Sequence, residues 1–149
     1  MRNIMDNQCI FCKIVNGDIP ARKVFENEHT LAFLDLSQVT PGHTLLIPKK
    51  HVKDIMGYNQ ELAMNVFKVL PEVSRAVRDH APSIEGLNIV VNNGEVADQT
   101  VFHSHMHLIP RYTKEDDFGL KWKNNADQYS DEEMTQIQEA IQNKLEGSL

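Results

Sequence analysis

The chain of 149 residues is poor in several things, and each shortage closes off a class of function. It has no apolar run near the ~20 residues that a membrane span needs. Its N-terminus, MRNIMDNQ, has no apolar core of the kind a secretory signal requires, so a cytoplasmic location is expected. Basic residues are in deficit: 15 Lys and Arg stand against 21 Asp and Glu, a formal net charge of -6. That excludes a broad basic footprint for nucleic acid or for an anionic membrane. It leaves room for a small anionic ligand held by a few local donors. There is no internal repeat and no low-complexity segment. Only two cysteines are present, Cys9 and Cys12 in CIFC. In a cytosolic chain such a pair points to metal or redox chemistry before a structural disulfide. A second CxxC is missing, and with the acidic charge this rules against a nucleic-acid-binding zinc ribbon.

The remainder is ordinary for a globular chain, 41% hydrophobic and 24% charged, at a length suited to one domain. Residues 1-8 are expected to be a flexible N-terminus, with a single domain over 9-149. CIFCKIVNG predicts a short helical turn ended by Gly17. A hairpin is expected from strands Lys23 to Glu26 and Thr30 to Leu36, around a polar turn at Asn27 to His29. After the Pro-Gly turn, His43 to Ile47 reads as a strand stopped by Pro48. Leu62, Val66, Val69, Leu70, Val73, Ala76 and Val77 follow a helical period, with Pro71 kinking or breaking that helix. Leu87 to Val91 and VFHSHMHLIPR supply two more strands, the last closed by Pro110. Ser130 and Glu133 form a capping box. They open a C-terminal helix from about residue 130, whose apolar stripe is Met134, Ile137, Ile141 and Leu145. The expected class is α+β: about five antiparallel strands, a long central helix and a C-terminal helix, with the helices on one side.

Three of the seven histidines stand at alternate positions, His103, His105 and His107. On a strand such residues share one face. Phe102, Ser104, Met106 and Leu108 take the other, which is mostly apolar. A neutral imidazole is nucleophilic near pH 7 and needs only one ring nitrogen fixed to aim the other. Neighbouring imidazoles could bind a phosphate oxygen, shuttle a proton or hold a metal. The polar loop NNGEVADQT just before them suits phosphate contacts. An edge strand with a polar face is the plain alternative. For the CxxC pair, the missing half of a tetrahedral site would come from His51, His103 or His43. A reduced, buried pair without metal is equally consistent with the spacing.

QTVFHSHMHLIPR, LAFLDLSQVTPGHTLLIPKKHV and NIVVNNG together resemble the histidine-triad (HIT) nucleotide-binding family. CIFCKIVNGDIPARKVFENE resembles the N-terminus of its bacterial Hint-like members. The likeness runs from Cys9 to about Trp122. It implies a hydrolase of purine nucleoside 5'-phosphoramidates, or of related nucleoside monophosphate conjugates, working at the α-phosphorus. His105 matches the nucleophile that becomes a nucleotidyl-histidine. His107 and His43 match histidines beside it, and Thr100 a hydroxyl serving the leaving group. Asp35 matches the carboxylate that takes the ribose hydroxyls. Asn92 and Gln99, with His107, match substrate-binding positions on the phosphate side. Cys9, Cys12, His51 and His103 match the ligands of a structural zinc ion. No organic cofactor is implied, and a homodimer is. A dinucleoside polyphosphate hydrolase of a sister branch and a non-catalytic nucleotide-binding protein are the competing readings.

Ser104 departs from the family's preference for apolar residues between the histidines, so looser or wetter packing is expected there. Trp122 is either a plain rim or core aromatic or a wall of the substrate site or dimer. His29 and His80 read as turn and helix-end residues. Lys49, Lys50 and Arg111 are either solvated or draw phosphate to the cleft.

Overall fold

The computed structural model describes residues 6-148, and the expectation for the first five residues lies outside that range. Two compact units divide the chain, Met1–Gly119 and Leu120–Leu149. In the first, five strands form one antiparallel sheet in the order β1-β2-β3-β5-β4. The strands are β1 (Lys23–Glu26), β2 (Thr30–Leu34), β3 (Thr44–Pro48), β4 (Gly86–Val91) and β5 (Met106–Arg111). The fold is α+β, as expected.

Alternation along the strands sorts the core into two layers. Leu31, Phe33, Leu45 and Ile47 pack with Cys9, Phe11, Cys12 and Ile14 of the N-terminal segment, where α1 runs over Ile10–Asn16. Ala32, Leu46, Met106 and Leu108 face the other way, against Leu62, Val66, Val73 and Val77. Those four belong to α2 (Gln60–Phe67) and α3 (Leu70–Asp79). The helices therefore do not all share one side of the sheet: α1 occupies the face opposite α2 and α3.

The expected long helix is two helices. The break falls at Lys68 and Val69, because Pro71 has no N–H to continue the ladder and is tolerated in a first turn. Gly17 closes α1 in the left-handed region, at φ 86. The Asn27 side chain accepts from the backbone of His29 and Thr30 and from the Thr30 hydroxyl, which sets the β1-β2 turn. Several strand ends differ from expectation, and β3 begins at Thr44 and takes in Pro48. The second strand stops at Leu34, freeing Asp35 and Leu36 for a loop. The last strand starts only at Met106 and runs through Pro110 to Arg111. Its pairing with β3 ends at Leu108, so Pro110 lies beyond that ladder. Residues 103-105 thus precede the strand, so of the three histidines only His107 lies on it and the three do not share one strand face.

The second unit contains α4 (Asp131–Leu145), opened by the reciprocal Ser130–Glu133 capping box. Its stripe Met134, Ile137, Ile141 and Leu145 is exposed, and so is Trp122. No described helix is long and apolar enough to cross a membrane.

Candidate active site and metal centre

The three triad histidines enter two neighbouring compartments. His103 is fully buried. Its Nε2 lies 2.7 Å from the carbonyl oxygen of Pro48, which requires the proton on Nε2 and leaves a lone pair on Nδ1. That nitrogen points at the cysteines, 3.5 Å from Cys9 Sγ and 3.6 Å from Cys12 Sγ. His51 Nδ1 lies 3.3 Å from Cys12 Sγ. With zinc–sulfur and zinc–nitrogen bonds of ~2.3 and ~2.0 Å, the S···N edge of a tetrahedron is about 3.5 Å. The four ligand atoms therefore already stand close to the corners of a zinc site, and Cys9, Cys12, His51 and His103 form one cluster. Burial pushes the Cys12 thiol up to about 11, so thiolates here need an opposing positive charge. It also holds His103 down at about 4, keeping the imidazole neutral as a ligand must be. His43 is not in this cluster. The fit is to a closed four-ligand site, which would tie α1 to the segment before β5 and leave no position for substrate.

His105 is buried beyond the cluster. Its Nδ1 lies 2.7 Å from the carbonyl oxygen of His103, so Nδ1 carries the proton and Nε2 keeps its lone pair. Phe11 stands edge-on to both imidazoles, 5.8 Å from the ring of His103 and 5.1 Å from that of His105. Burial lowers the pKa of His105, against the pull of the His103 carbonyl and Asp35.

His107 belongs to β5, opposite Leu45 of β3 and Val90 of β4. Its ring is 5.0 Å from His105 and 5.2 Å from His43. The backbone N–H of Val39 points at His43 Nδ1 from 3.3 Å, which places the proton of His43 on Nε2. That nitrogen is 2.9 Å from His107 Nδ1. His107 consequently accepts at Nδ1 and carries its own proton on Nε2. Burial first, then the neighbouring His105 and His43, holds His107 at about 4, and burial lowers His43 as well. Asp35 Oδ2 lies 3.7 Å from His43 Nε2.

A pocket of about 980 Å³ opens on these groups. Ile10, Phe11 and Ile14 of α1 and the segment Ile19 to Ala21 line its apolar side, with Arg22 next to them. Asp35, Thr100, His105 and His107 supply the polar side. His43 sits behind His107, 2% exposed.

Asn92 and Gln99 lie in the loop ahead of this wall and do not line it. Asn92 Nδ2 donates to the carbonyl of Asp98. Gln99 is buried, with its oxygen accepting from Gly94 and its amide donating to the carbonyls of Lys53 and Val101. Ser104 does not loosen the packing: it is 2% exposed and its hydroxyl meets Tyr58 Oη at 3.0 Å. Lys49 pairs with Glu26, and Arg111 with Asp116 and Asn88, so neither reaches toward the pocket.

Gln38 and Phe11 carry no sequence signal of their own, and His80, read as a helix-end residue, has a contact the sequence does not show. Gln38 clips the loop between Asp35 and His43, donating to both their carbonyls and accepting from the N–H of Gly42. His80 caps α3 and lies against Gly42, where an added Cβ would strike its ring. Phe11 was visible only as part of CIFC.

A profile of the HIT domain matches residues 16–114. Protein hit of Bacillus subtilis is 54% identical over 140 residues, 94% of this chain and 96% of that protein. Adenosine 5'-monophosphoramidase hnt1 of Schizosaccharomyces pombe is 36% identical, over 92% of this chain and 98% of its own. Among solved structures, a HIT family member from Bacillus subtilis superposes with a TM-score of 0.89 at 53% identity, covering 94% of this chain and 98% of the other. A zinc-bound histidine triad family protein from Mycobacterium smegmatis does so at 0.68 and 34%, covering 89% and 96%. The chain belongs to the HIT family.

Proposed function

We propose that this protein hydrolyses purine nucleoside 5'-phosphoramidates or related nucleoside monophosphate conjugates through a nucleotidyl intermediate on His105. One observation carries this reading: His105 sits buried at the pocket with its Nδ1 proton held by the His103 carbonyl. The free Nε2 lone pair needs no base to activate it. The phosphoramidase name of the fission-yeast relative supports the substrate class.

The steps follow from the tautomers. Nε2 of His105 forms a bond to the α-phosphorus while the bond from phosphorus to the leaving nitrogen breaks. The leaving amine takes the electron pair and a proton relayed from solvent through the Thr100 hydroxyl. The positive charge that His105 gains is shared with the carbonyl of His103. The Nε2–H of His107 donates to a phosphate oxygen, and His43 holds that ring in the donor state. Water then attacks phosphorus and frees the nucleoside monophosphate and His105. The purine lies against Ile10, Phe11 and Ile14, and Asp35 accepts from the ribose hydroxyls. Asn92 and Gln99 act on the phosphate side by holding the loop that carries Thr100. Zinc held by Cys9, Cys12, His51 and His103 would fix the start of this segment.

The pocket volume, at the large end of ordinary ligand sites, favours a second substrate reading. A dinucleoside polyphosphate would place its distal nucleoside in the unused space. Turnover of an adenosine phosphoramidate against diadenosine polyphosphate separates the two. His105→Ala should cut either rate by on the order of 10³-fold or more while nucleotide binding persists. A fully active variant contradicts the mechanism. Binding without turnover of either substrate leaves a nucleotide-binding protein.

The free thiols suit a reducing cytosol. A homodimer is supported by β4, which ends the sheet with Ile89 exposed, and by the exposed Met64 and Phe67 of α2. Light scattering should give twice the 17.0 kDa of one chain.

A further inference from the structure

Asp35, His43 and His107 form a second group of metal-binding side chains, separate from the cysteine cluster. Their ligand atoms all lie within 4.8 Å of one another. We infer that this trio binds a divalent first-row transition ion at the polar wall of the pocket, and that the ion blocks nucleotide turnover.

The donor set is two imidazoles and one carboxylate, which suits zinc, cobalt, nickel or copper and disfavours magnesium and calcium. The geometry is close to what an ion requires. His43 Nε2 and His107 Nδ1 are 2.9 Å apart. Two nitrogens at ~2.1 Å from one ion and that far apart subtend roughly 90°. Asp35 Oδ2 is 3.7 Å from His43 Nε2, which corresponds to roughly 120°. Both imidazoles are kept neutral by burial, so an ion does not have to displace a full positive charge from them. Asp35 and His107 line the pocket, so an ion can arrive from solvent.

Coordination needs the lone pair of His43 Nε2. The proton now on that nitrogen leaves to solvent and Nδ1 takes one up, giving up the long 3.3 Å contact from the Val39 N–H. This site differs in kind from the first: it has three protein ligands, no thiolate and an open side. An ion there occupies the carboxylate that the reading above assigns to the ribose hydroxyls and replaces the His43–His107 hydrogen bond, while it leaves the Nε2–H of His107 free. The inhibition rests on that reading, whereas the binding does not.

The test is titration of the zinc-loaded protein with Co²⁺, followed by calorimetry and visible absorption. One further equivalent should bind, with d–d bands and no thiolate-to-cobalt charge transfer. Asp35→Asn and His43→Gln should each weaken it at least tenfold and retain the first zinc, which also reports that they fold. Cys12→Ser should keep it. No further equivalent in the natural protein overturns the site. So does binding unchanged in both variants, or binding marked by thiolate charge transfer. Where turnover is seen, added Zn²⁺ should inhibit competitively with nucleotide, and non-competitive inhibition overturns the blocking role. The cobalt titration decides the site whether or not nucleotide is turned over.

Discussion

His105 donates its Nδ1 proton to the carbonyl oxygen of His103, two residues earlier, across 2.7 Å. One residue thereby has two duties. The His103 side chain faces the cysteines, and its backbone fixes the tautomer of the candidate nucleophile. Whatever positions His103 positions His105.

Phe11 couples the two from the other side. It is 7% exposed and stands edge-on to both rings. Phe11→Leu keeps most of the apolar volume and loses the edge contacts, at a cost of about 1 kcal/mol. Turnover should fall about tenfold with zinc content unchanged, a comparison that elemental analysis and steady-state kinetics provide. Unchanged turnover would remove Phe11 from the positioning of His105.

Removing the metal should act on stability and turnover together. A chelator, or Cys12→Ser, releases α1 from the segment before β5. An ion held at a hundred times its dissociation constant contributes about 2.7 kcal/mol to stability. Thermal unfolding should shift down by at least that equivalent and recover when zinc is restored to the chelated natural protein. A melting curve indifferent to chelation and to added zinc would contradict the ligand set.

The loop from Asp35 to His43 makes a separate prediction. Gly42 has φ 98, and the His80 ring fills the space a Cβ would take. Gly42→Ala should cost about 1–3 kcal/mol through strain and displacement of that loop. Gln38→Ala, which removes the clip on the carbonyls of Asp35 and His43, should raise KM more than it lowers kcat. Denaturant unfolding and kinetics read the two effects.

Acid should weaken the metal-free protein in a definite window. His103 and His107 are held at about 4 in the fold, against ~6.5 in the unfolded chain. Between those values the unfolded chain binds more protons than the native one. Stability is therefore full above about pH 6.5 and falls as pH drops toward 4, by about 1.4 kcal/mol per unit for each imidazole. Urea midpoints measured from pH 7.5 to 4.5 should follow that slope. A flat profile would mean that these rings take up protons in the native state.

Local patterning carried much of the fold. Turn residues, Asn27 to His29 and the Pro-Gly pair before His43, set β2 and β3 apart, and Pro71 marked the break between α2 and α3. That Cys9, Cys12, His51 and His103 would come together as one cluster was legible because the residue types and order are distinctive. What failed to show in the sequence depends on tertiary partners. The start of β5 is fixed by where Met106 finds Leu46, so the expectation of three imidazoles on one strand face failed for both His103 and His105, which precede the strand. Ser104 looked like a packing defect because its partner, Tyr58, lies 46 residues away. His80 ends α3 as its position suggested, but its ring's contact with Gly42 and the backbone partners of Gln38 are announced by no spacing.

The central claim is that His105 forms a covalent bond to phosphorus, and the direct measurement is intact-protein mass. The protein is mixed with an adenosine phosphoramidate and quenched rapidly in mild base, which preserves bonds from phosphorus to histidine. A mass gain of one AMP in the natural protein, absent in His105→Ala, is the predicted result. The same gain in His105→Ala, or steady AMP release by that variant at the natural rate, would contradict the account.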